Sequence, residues 1–290
     1  MYDISVIIPS YNSYKTIDKC IKSIMRQRFS GTYEIIVVDS SNDITYRMLK
    51  KNFPQIKIIR LQERTPPGIA RNIGIKHAVG RILAFIDADC IADESWLSTI
   101  YNEHIKGKYA AVGGAIDNAM PYNLAGWGIF LCEFSQWLPI RRRSTLCHIP
   151  TCNIAYRREI FDKYGTFPSG PFPQEDHLFN LNLCKNGEKI EFEPKIRIYH
   201  INRSSVRYIT RHEIRRGKGA AFIYKLMYPN LSKVLKILPF TILFGVGKLV
   251  INIIRFIRWK PHFCIFIPII WCLYLWAWWC WLLGFMSGIL

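Results

Sequence analysis

The last thirty residues of this 290-residue chain contain no Asp, Glu, Lys or Arg. An apolar run of that length exceeds the roughly 20 residues that cross a bilayer, and it predicts a transmembrane segment at about 263–285. Acidic residues are scarce just upstream, where residues 201–260 hold thirteen Lys and Arg against one acid, Glu213, in a chain of formal net charge +18. A collar of positive charge beside an apolar run suits a cytosolic flank and anionic headgroups, which argues against a nucleic-acid partner. Cys-x-x-Cys pairs are missing although there are nine cysteines, the usage of a reduced, cytosol-facing chain with buried thiols. Cys147, His148 and Cys152 lie close together, but no second ligand pair follows at zinc-site spacing, so they are expected to be structural. The first strand exit, "IIPSYN", has no glycine, which disfavours a dehydrogenase or a nucleotidyltransferase. "GVGK" at 245–248 lacks the rest of a phosphate loop. "MYDISVIIPSYN" starts structure at once, so no signal peptide is expected. No internal repeat is present.

What the first hundred residues do have is short β-branched runs alternating with helical patterns. "ISVIIPSYN", "YEIIVVDSS", "IKIIRLQ" and "RILAFIDADC" read as strands, separated by helices in "YKTIDKCIKSIMRQRF", "ITYRMLKKNF" and "GIARNIGIKHAV". Continuous apolar strands separated by helices predict an α/β fold with a parallel sheet covered on both faces. Ligands of such sheets bind beyond the carboxyl ends of the strands. Residues 9–12, 39–43 and 87–89 all fall at such ends and should share one edge. Asp87 and Asp89 repel there unless a cation lies between them, and hard divalent ions such as Mg2+ or Mn2+ suit carboxylates and phosphates. Residues 109–200 continue the same domain with mixed strands and helices. The basic stretch after His200 has helical spacing and is expected on the membrane surface. Residues 237–254 are apolar but contain Lys248 and Asn252; crossing the membrane there would put the basic "RFIRWK" on the far side. An interfacial or re-entrant segment followed by one span is therefore expected.

"ISVIIPSYN", "EIIVVDSSND", "GIARNIGI", "FIDADC", "TCNIAYRREIFDKYGTF" and "PQEDHLFNLNLCKNG", in that order, resemble the family 2 glycosyltransferases with a GT-A fold over about residues 3–220. The resemblance implies a mixed, mostly parallel sheet with flanking helices, as a catalytic domain at 1–220 followed by a membrane-associated region at 221–290. It implies inverting transfer of a sugar from a nucleotide-diphosphate donor, with a divalent metal bridging the diphosphate. Matched position by position, Pro9 and Tyr11 border the nucleoside, Asp39 contacts the base and Arg71 lies close to the donor phosphates. Asp87 lies near the ribose and the metal, and Asp89 ligates the metal. His200 is either a third metal ligand or a satisfied structural histidine. Of the acidic pair Glu175 and Asp176, the second is the general base, which takes the proton of the attacking acceptor hydroxyl; its alternative is a helix N-cap. Arg215 and Arg216 in "RHEIRRGKG" match a basic motif that reaches the diphosphate or the acceptor.

Two departures carry information. No Trp follows Arg215 or Arg216, unlike the Gln-x-x-Arg-Trp form of processive synthases, and multiple spans are lacking, so a single addition is expected. "SSND" replaces the commoner Asp-Gly after Asp39, which bears on base recognition there. The basic collar and terminal span imply a lipid-linked or other membrane-associated glycan acceptor, with the catalytic domain cytoplasmic. The competing reading is a non-catalytic membrane scaffold or a nucleotide-sugar-binding subunit of a glycan assembly complex. The intact Asp87, Asp89 and Asp176 argue against it, because a lapsed site has no physical reason to keep all three acids.

Overall fold

The computed structural model describes residues 2–169, 174–202, 205–261 and 267–289. Pro173 of the acidic motif and the start of the expected span, 263–266, lie outside the described residues. The four parallel strands are β1 (Ile4–Ser10), β2 (Tyr33–Asp39), β3 (Lys57–Arg60) and β4 (Ile82–Ile86). Between them run α1 (Ile17–Met25), α2 (Thr45–Asn52) and α3 (Pro67–His77). α1 buries Ile17, Cys20, Ile21 and Ile24, the i, i+3, i+4, i+7 stripe that turns one helix face onto the sheet.

The chain then forms β5 (Cys90–Ala92), α4 (Trp96–Ile105), β6 (Ala111–Asn118), α5 (Leu124–Phe134), β7 (Ser144–Leu146) and β8 (Asn153–Arg157). It ends with α6 (Arg158–Tyr164), α7 (Glu175–Lys185), β9 (Ile190–His200), α8 (Val206–Met227), α9 (Pro229–Leu235), α10 (Leu238–Trp259) and α11 (Ile267–Ile289). The sheet order is β3-β2-β1-β4-β8-β6-β9-β5, with β7 also on β9. β8 runs antiparallel to β4 and β6, β6 and β9 are parallel, and β5 and β7 are antiparallel to β9.

Strand order reverses at β1, which leaves a crevice beyond the ends of β1 and β4. The β1–β4 ladder stops at Ile7↔Phe85, whereas β1 continues beside β2 to Ser10↔Asp39. Ser10 bonds toward β2 through its carbonyl, so by strand alternation Pro9 faces the β4 side, where its missing N–H interrupts no ladder.

The chain divides into two compact units. The first holds the residues up to Ala119, Pro139–Ser169 and Glu175–Ile201; the second holds Met120–Leu138 and the chain from Asn202 onward. The division in this part of the chain falls at 201/202, and α8 packs along α11 in the second unit. In that second unit a Cβ at Gly217 or Gly284 would collide with the backbone of the opposite helix, so glycine is what lets α8 and α11 approach so closely.

α10 and α11 are both long and apolar enough to cross a membrane. α10 is one unbroken helix, longer than the interfacial or re-entrant segment expected at 237–254. The two polar residues that argued against it are turned into the unit: Lys248 Nζ lies 3.7 Å from the centre of the Trp281 ring, and Asn252 Oδ1 accepts from Ser135 Oγ at 2.6 Å. Phe240, Leu243, Val246, Val250, Ile254 and Ile257 face outward, an apolar face of the kind lipid covers.

Candidate active site

Every expected donor-side residue of the first hundred positions except Arg71 lies at or just past a carboxyl strand end. Beyond β1, Asn12 takes a positive φ of 50°, a conformation asparagine tolerates. Its N–H donates to Ser41 Oγ at 2.7 Å and its Oδ1 accepts from Asn42 N at 3.0 Å, so the loops after β1 and β2 are knitted together. Tyr11 in this loop is covered by Arg64, whose guanidinium lies 4.7 Å from the ring centre.

Asp39, at the end of β2, is 0% exposed. Its Oδ1 accepts from Ser10 Oγ at 2.9 Å and from Ser41 Oγ, and its Oδ2 pairs with Arg60 Nη1 at 2.5 Å. Arg60 is the register partner of Asp39 on β3. The serine that replaces the commoner residue therefore turns the acid inward, and no face of Asp39 is open to a ligand.

Asp89 and His200 are far apart in sequence but adjacent in the sheet. β5 pairs with β9 in the register Cys90↔His200, and Ile201 N donates to Asp89 O at 2.8 Å. His200 Nε2 lies 3.5 Å from Asp89 Oδ1, and the donor atoms of Asp89, Cys90 and His200 all fall within 4.8 Å of one another. Burial, then a hydrogen bond with Cys152, pushes the Cys90 thiol well up, so it stays protonated and is a poor partner for a hard ion. A partly exposed carboxylate and imidazole fit Mn2+ and leave coordination positions for phosphate oxygens.

Arg71 joins the two halves of the constellation. It is almost buried, with Nη2 2.7 Å from Asp87 Oδ1 and Nη1 2.9 Å from Glu175 Oε1. Burial works against its charge, yet Asp87 and Glu175 outweigh that and hold the guanidinium more firmly protonated than usual. Gly68 makes this bridge possible, since a Cβ there would sit 2.5 Å from Glu175 Cγ.

The acidic pair opens α7, and aromatic packing fixes where that helix sits. Phe179 stacks on Phe161 at 5.1 Å between ring centres, and Tyr156 on β8 donates to Asn180 Oδ1 at 2.6 Å. Asp176 lies inside the first turn of α7 and is not its N-cap. Its Oδ2 accepts from Thr151 N at 3.1 Å and from Thr151 Oγ1 at 3.2 Å. Burial raises the Asp176 carboxyl, but His148, Arg71 and the Thr151 N–H outweigh it and hold the group below its ordinary value. Burial also lowers His148, which is then uncharged at neutral pH, so Arg71 and Thr151 carry the effect. Burial lifts Glu175 above the usual range, against the pull of Arg71.

Arg215 and Arg216 belong to α8 in the second unit. Arg215 is exposed. Arg216 Nη1 holds both oxygens of fully buried Glu213, at 3.0 and 2.9 Å, so its observed role is an ion pair. Removing one side of such a pair costs about 3–5 kcal/mol. Glu213→Leu is expected to lower thermal stability in detergent by that amount, and Glu213→Leu with Arg216→Met to recover most of it. Equal melting of the single and double variants contradicts the pairing.

Sequence reasoning missed Thr151 and Arg60. Nothing in "TCN" marks its threonine as the orienting donor of Asp176. Arg60 reads as an ordinary arginine at a strand end.

The chain matches the family model described as Glycosyl transferase family 2 over residues 5–165. It is 25% identical over 243 residues to Glycosyltransferase AglE of Haloferax volcanii, covering 80% of this chain and 77% of that one. It is 27% identical over 270 residues to the dolichyl N-acetyl-alpha-D-glucosaminyl phosphate 3-beta-D-2,3-diacetamido-2,3-dideoxy-beta-D-glucuronosyltransferase of Methanococcus voltae, covering 86% of this chain and 81% of that one. The crystal structure of S. aureus TarS superposes with a TM-score of 0.52 at 21% identity, covering 74% of this chain and 39% of TarS. This chain corresponds to less than half of TarS, and the likeness is one of fold, the mixed GT-A sheet. With a family model spanning more than half of its length and relatives that are named glycosyltransferases, the protein belongs to glycosyl transferase family 2.

Proposed function

We propose that the protein is an inverting transferase that moves one sugar from a nucleotide-diphosphate donor to a hydroxyl of a lipid-linked or otherwise membrane-held glycan. Catalysis is assigned to about residues 1–220 on the cytoplasmic side, and membrane attachment to 221–290. The observation that carries this reading is the pair of ion pairs by which Arg71 ties Asp87 to Glu175, with the other expected residues on either side of it. Asp89 and His200 stand at the β5–β9 end, Arg71 clamps Asp87 to Glu175, and Asp176 is aimed by Thr151 beside β8.

Asp89 and His200, with Asp87 nearby in sequence, would hold Mn2+ or Mg2+. When bound there, the ion neutralises charge that grows on the departing diphosphate. Asp176 accepts the proton of the acceptor hydroxyl as that oxygen attacks the anomeric carbon. Thr151 donates twice to one carboxylate oxygen and so fixes which way the acid faces. Arg71 keeps Glu175 and Asp87 apart from one another as charges and in place as side chains. A single in-line displacement inverts the anomeric centre and requires no nucleophilic carboxylate.

Support for a membrane-held acceptor comes from two apolar helices, the basic collar, and the Methanococcus voltae relative, whose name gives a dolichyl phosphate-linked substrate. The test compares the full chain in mixed micelles with a polyprenyl-phosphate-linked sugar and with the same sugar on a short water-soluble aglycone. The lipid-linked acceptor is expected to react at least about tenfold faster at equal bulk concentration, because the anchor concentrates it at the site. Equal turnover on both acceptors refutes the membrane-held class.

A further inference from the structure

We infer that neither α10 nor α11 crosses the bilayer, and that the second unit lies along the cytoplasmic leaflet with the outer faces of α8, α10 and α11 against anionic lipid. This rests on the proposed reading of a membrane-attached transferase and says how it is attached. Length and hydropathy admit α10 and α11 as spans, but neither measure registers what is packed beside them. α8 runs parallel to α11. Ile209 and Ala277 share one buried cluster, and Trp276 Nε1 donates to Thr210 Oγ1 at 3.0 Å. A Cβ on Gly284 would meet the backbone of Ile214, and one on Gly288 would meet Ala221 and Lys218. These contacts follow the same order in both helices, so a membrane crossed by α11 in this packing is crossed by α8 as well.

α8 is unfit for hydrocarbon. Arg207, Arg211, Arg215 and Lys218 recur at i, i+4, i+8 and i+11 and are all exposed on one face of it. No acid pairs with any of the four among the described residues. Cations at membrane depth face a bundle interior, a water-filled cavity or a partner, and a row turned outward has none of these. A long side chain near a helix end reaches back to the headgroups, but Arg215 lies roughly 14 Å from the nearer end of α8, at about 1.5 Å per residue.

The same row suits the surface of a leaflet. Beside it, α11 exposes Leu275, Trp276, Trp279 and Leu283, with Trp276 bonded back to α8. On the other side of that stripe Trp278 Nε1 donates to Gly245 O at 2.9 Å, which joins it to α10 and its outward apolar face. Cations thus border a broad apolar surface that carries tryptophans, the side chains that settle where headgroups meet acyl chains. Charge decides the occupant: thirteen Lys and Arg against one acid over residues 201–260 fit anionic headgroups.

The experiment places three points of the full chain relative to a membrane. Asn230→Cys in α9, Pro261→Cys after α10, and a cysteine appended to Leu290 are each expressed in bacterial spheroplasts. A membrane-impermeant maleimide is added before or after permeabilisation, with the wild type as background. All three cysteines are expected at background in intact spheroplasts and well above it once the membrane is opened. If α8, α10 and α11 cross together, Asn230→Cys and the appended cysteine are labelled from outside; a hairpin of α10 and α11 exposes Pro261→Cys, and a lone α11 span exposes the appended cysteine. Each of these overturns the inference alone. Headgroup contact is read separately, by flotation of the purified chain with phosphatidylglycerol or phosphatidylcholine vesicles. Arg211→Gln and Lys218→Gln are each expected to lower the preference for the anionic vesicle about fivefold. A preference unchanged in both overturns the contact with anionic lipid. A wild type that fails to sediment with the membrane fraction overturns membrane attachment, and this inference with it.

Discussion

Asp176→Asn binds the nucleotide sugar as tightly as wild type and transfers its sugar about 10²–10⁴-fold more slowly, the usual contribution of a positioned general base. Asparagine keeps the size of the side chain and an oxygen that accepts from Thr151, so α7 stays in place. What it lacks is a site for the proton of the acceptor. Single-turnover transfer with preformed enzyme–donor complex measures the chemical step without product release. Wild-type rates in this variant exclude Asp176 as the base.

The pH profile separates the two acids of the pair. A base works while deprotonated, and its acid limb falls where its folded carboxyl takes up a proton. Asp176 is held below its ordinary value, so with Asp176 as base the acid limb of single-turnover transfer from the preformed metal–donor complex falls below the ordinary carboxylate range. Glu175 is held above its ordinary value. An acid limb above that range, retained in Asp176→Asn, identifies Glu175 as the group that titrates.

Asp89→Ala has its large effect on a different step. Removing this carboxylate leaves His200 as the main donor at the β5–β9 end, and a lone imidazole holds Mn2+ poorly against water. Nucleoside diphosphate affinity in Mn2+ is expected to drop about 100-fold or more, to the level wild type shows in EDTA, since loss of a direct ligand exceeds the 10–100-fold seen for outer partners. Calorimetric titration of the nucleotide with and without metal reads this directly. Undiminished Mn2+ dependence in Asp89→Ala removes it from the metal site. With the Asp176 variant, the result separates donor capture from proton transfer within one active site.

Much of this site could be read from the residues alone, and the reason is local. The runs "ISVIIPS", "YEIIVVD" and "ILAFI" are strands buried on both faces, and the polar residues that end them can lie only at the sheet's carboxyl edge. Asp87 and Asp89 are legible on that ground. His200 is a candidate from the sequence, but its place beside Asp89 is not legible, because the Cys90↔His200 register joins distant segments. The inward turn of Asp39 depends on the Ser41 hydroxyl and on an arginine from a third strand, which no spacing rule connects. For α10, hydropathy counts Lys248 as a charge in lipid, whereas the fold lays its ammonium on the Trp281 ring.

The late arrival of β9 has a consequence for how the chain is made. β9 pairs with β6, β5 and β7, all of which leave the ribosome before it. Until residue 200 has emerged, β5 lacks its pairing partner, one edge of β6 is bare, and Asp89 has no imidazole beside it. The pairings among the four parallel strands are complete once residue 86 has emerged and can form first; the β5–β9 end waits for the closure Cys90↔His200, which is slow because the loop entropy is lost before the contacts form. Premature termination before β9 therefore yields a nascent chain with an open, apolar strand edge of the kind that aggregates. Such fragments are destined for proteolysis, not for partial activity.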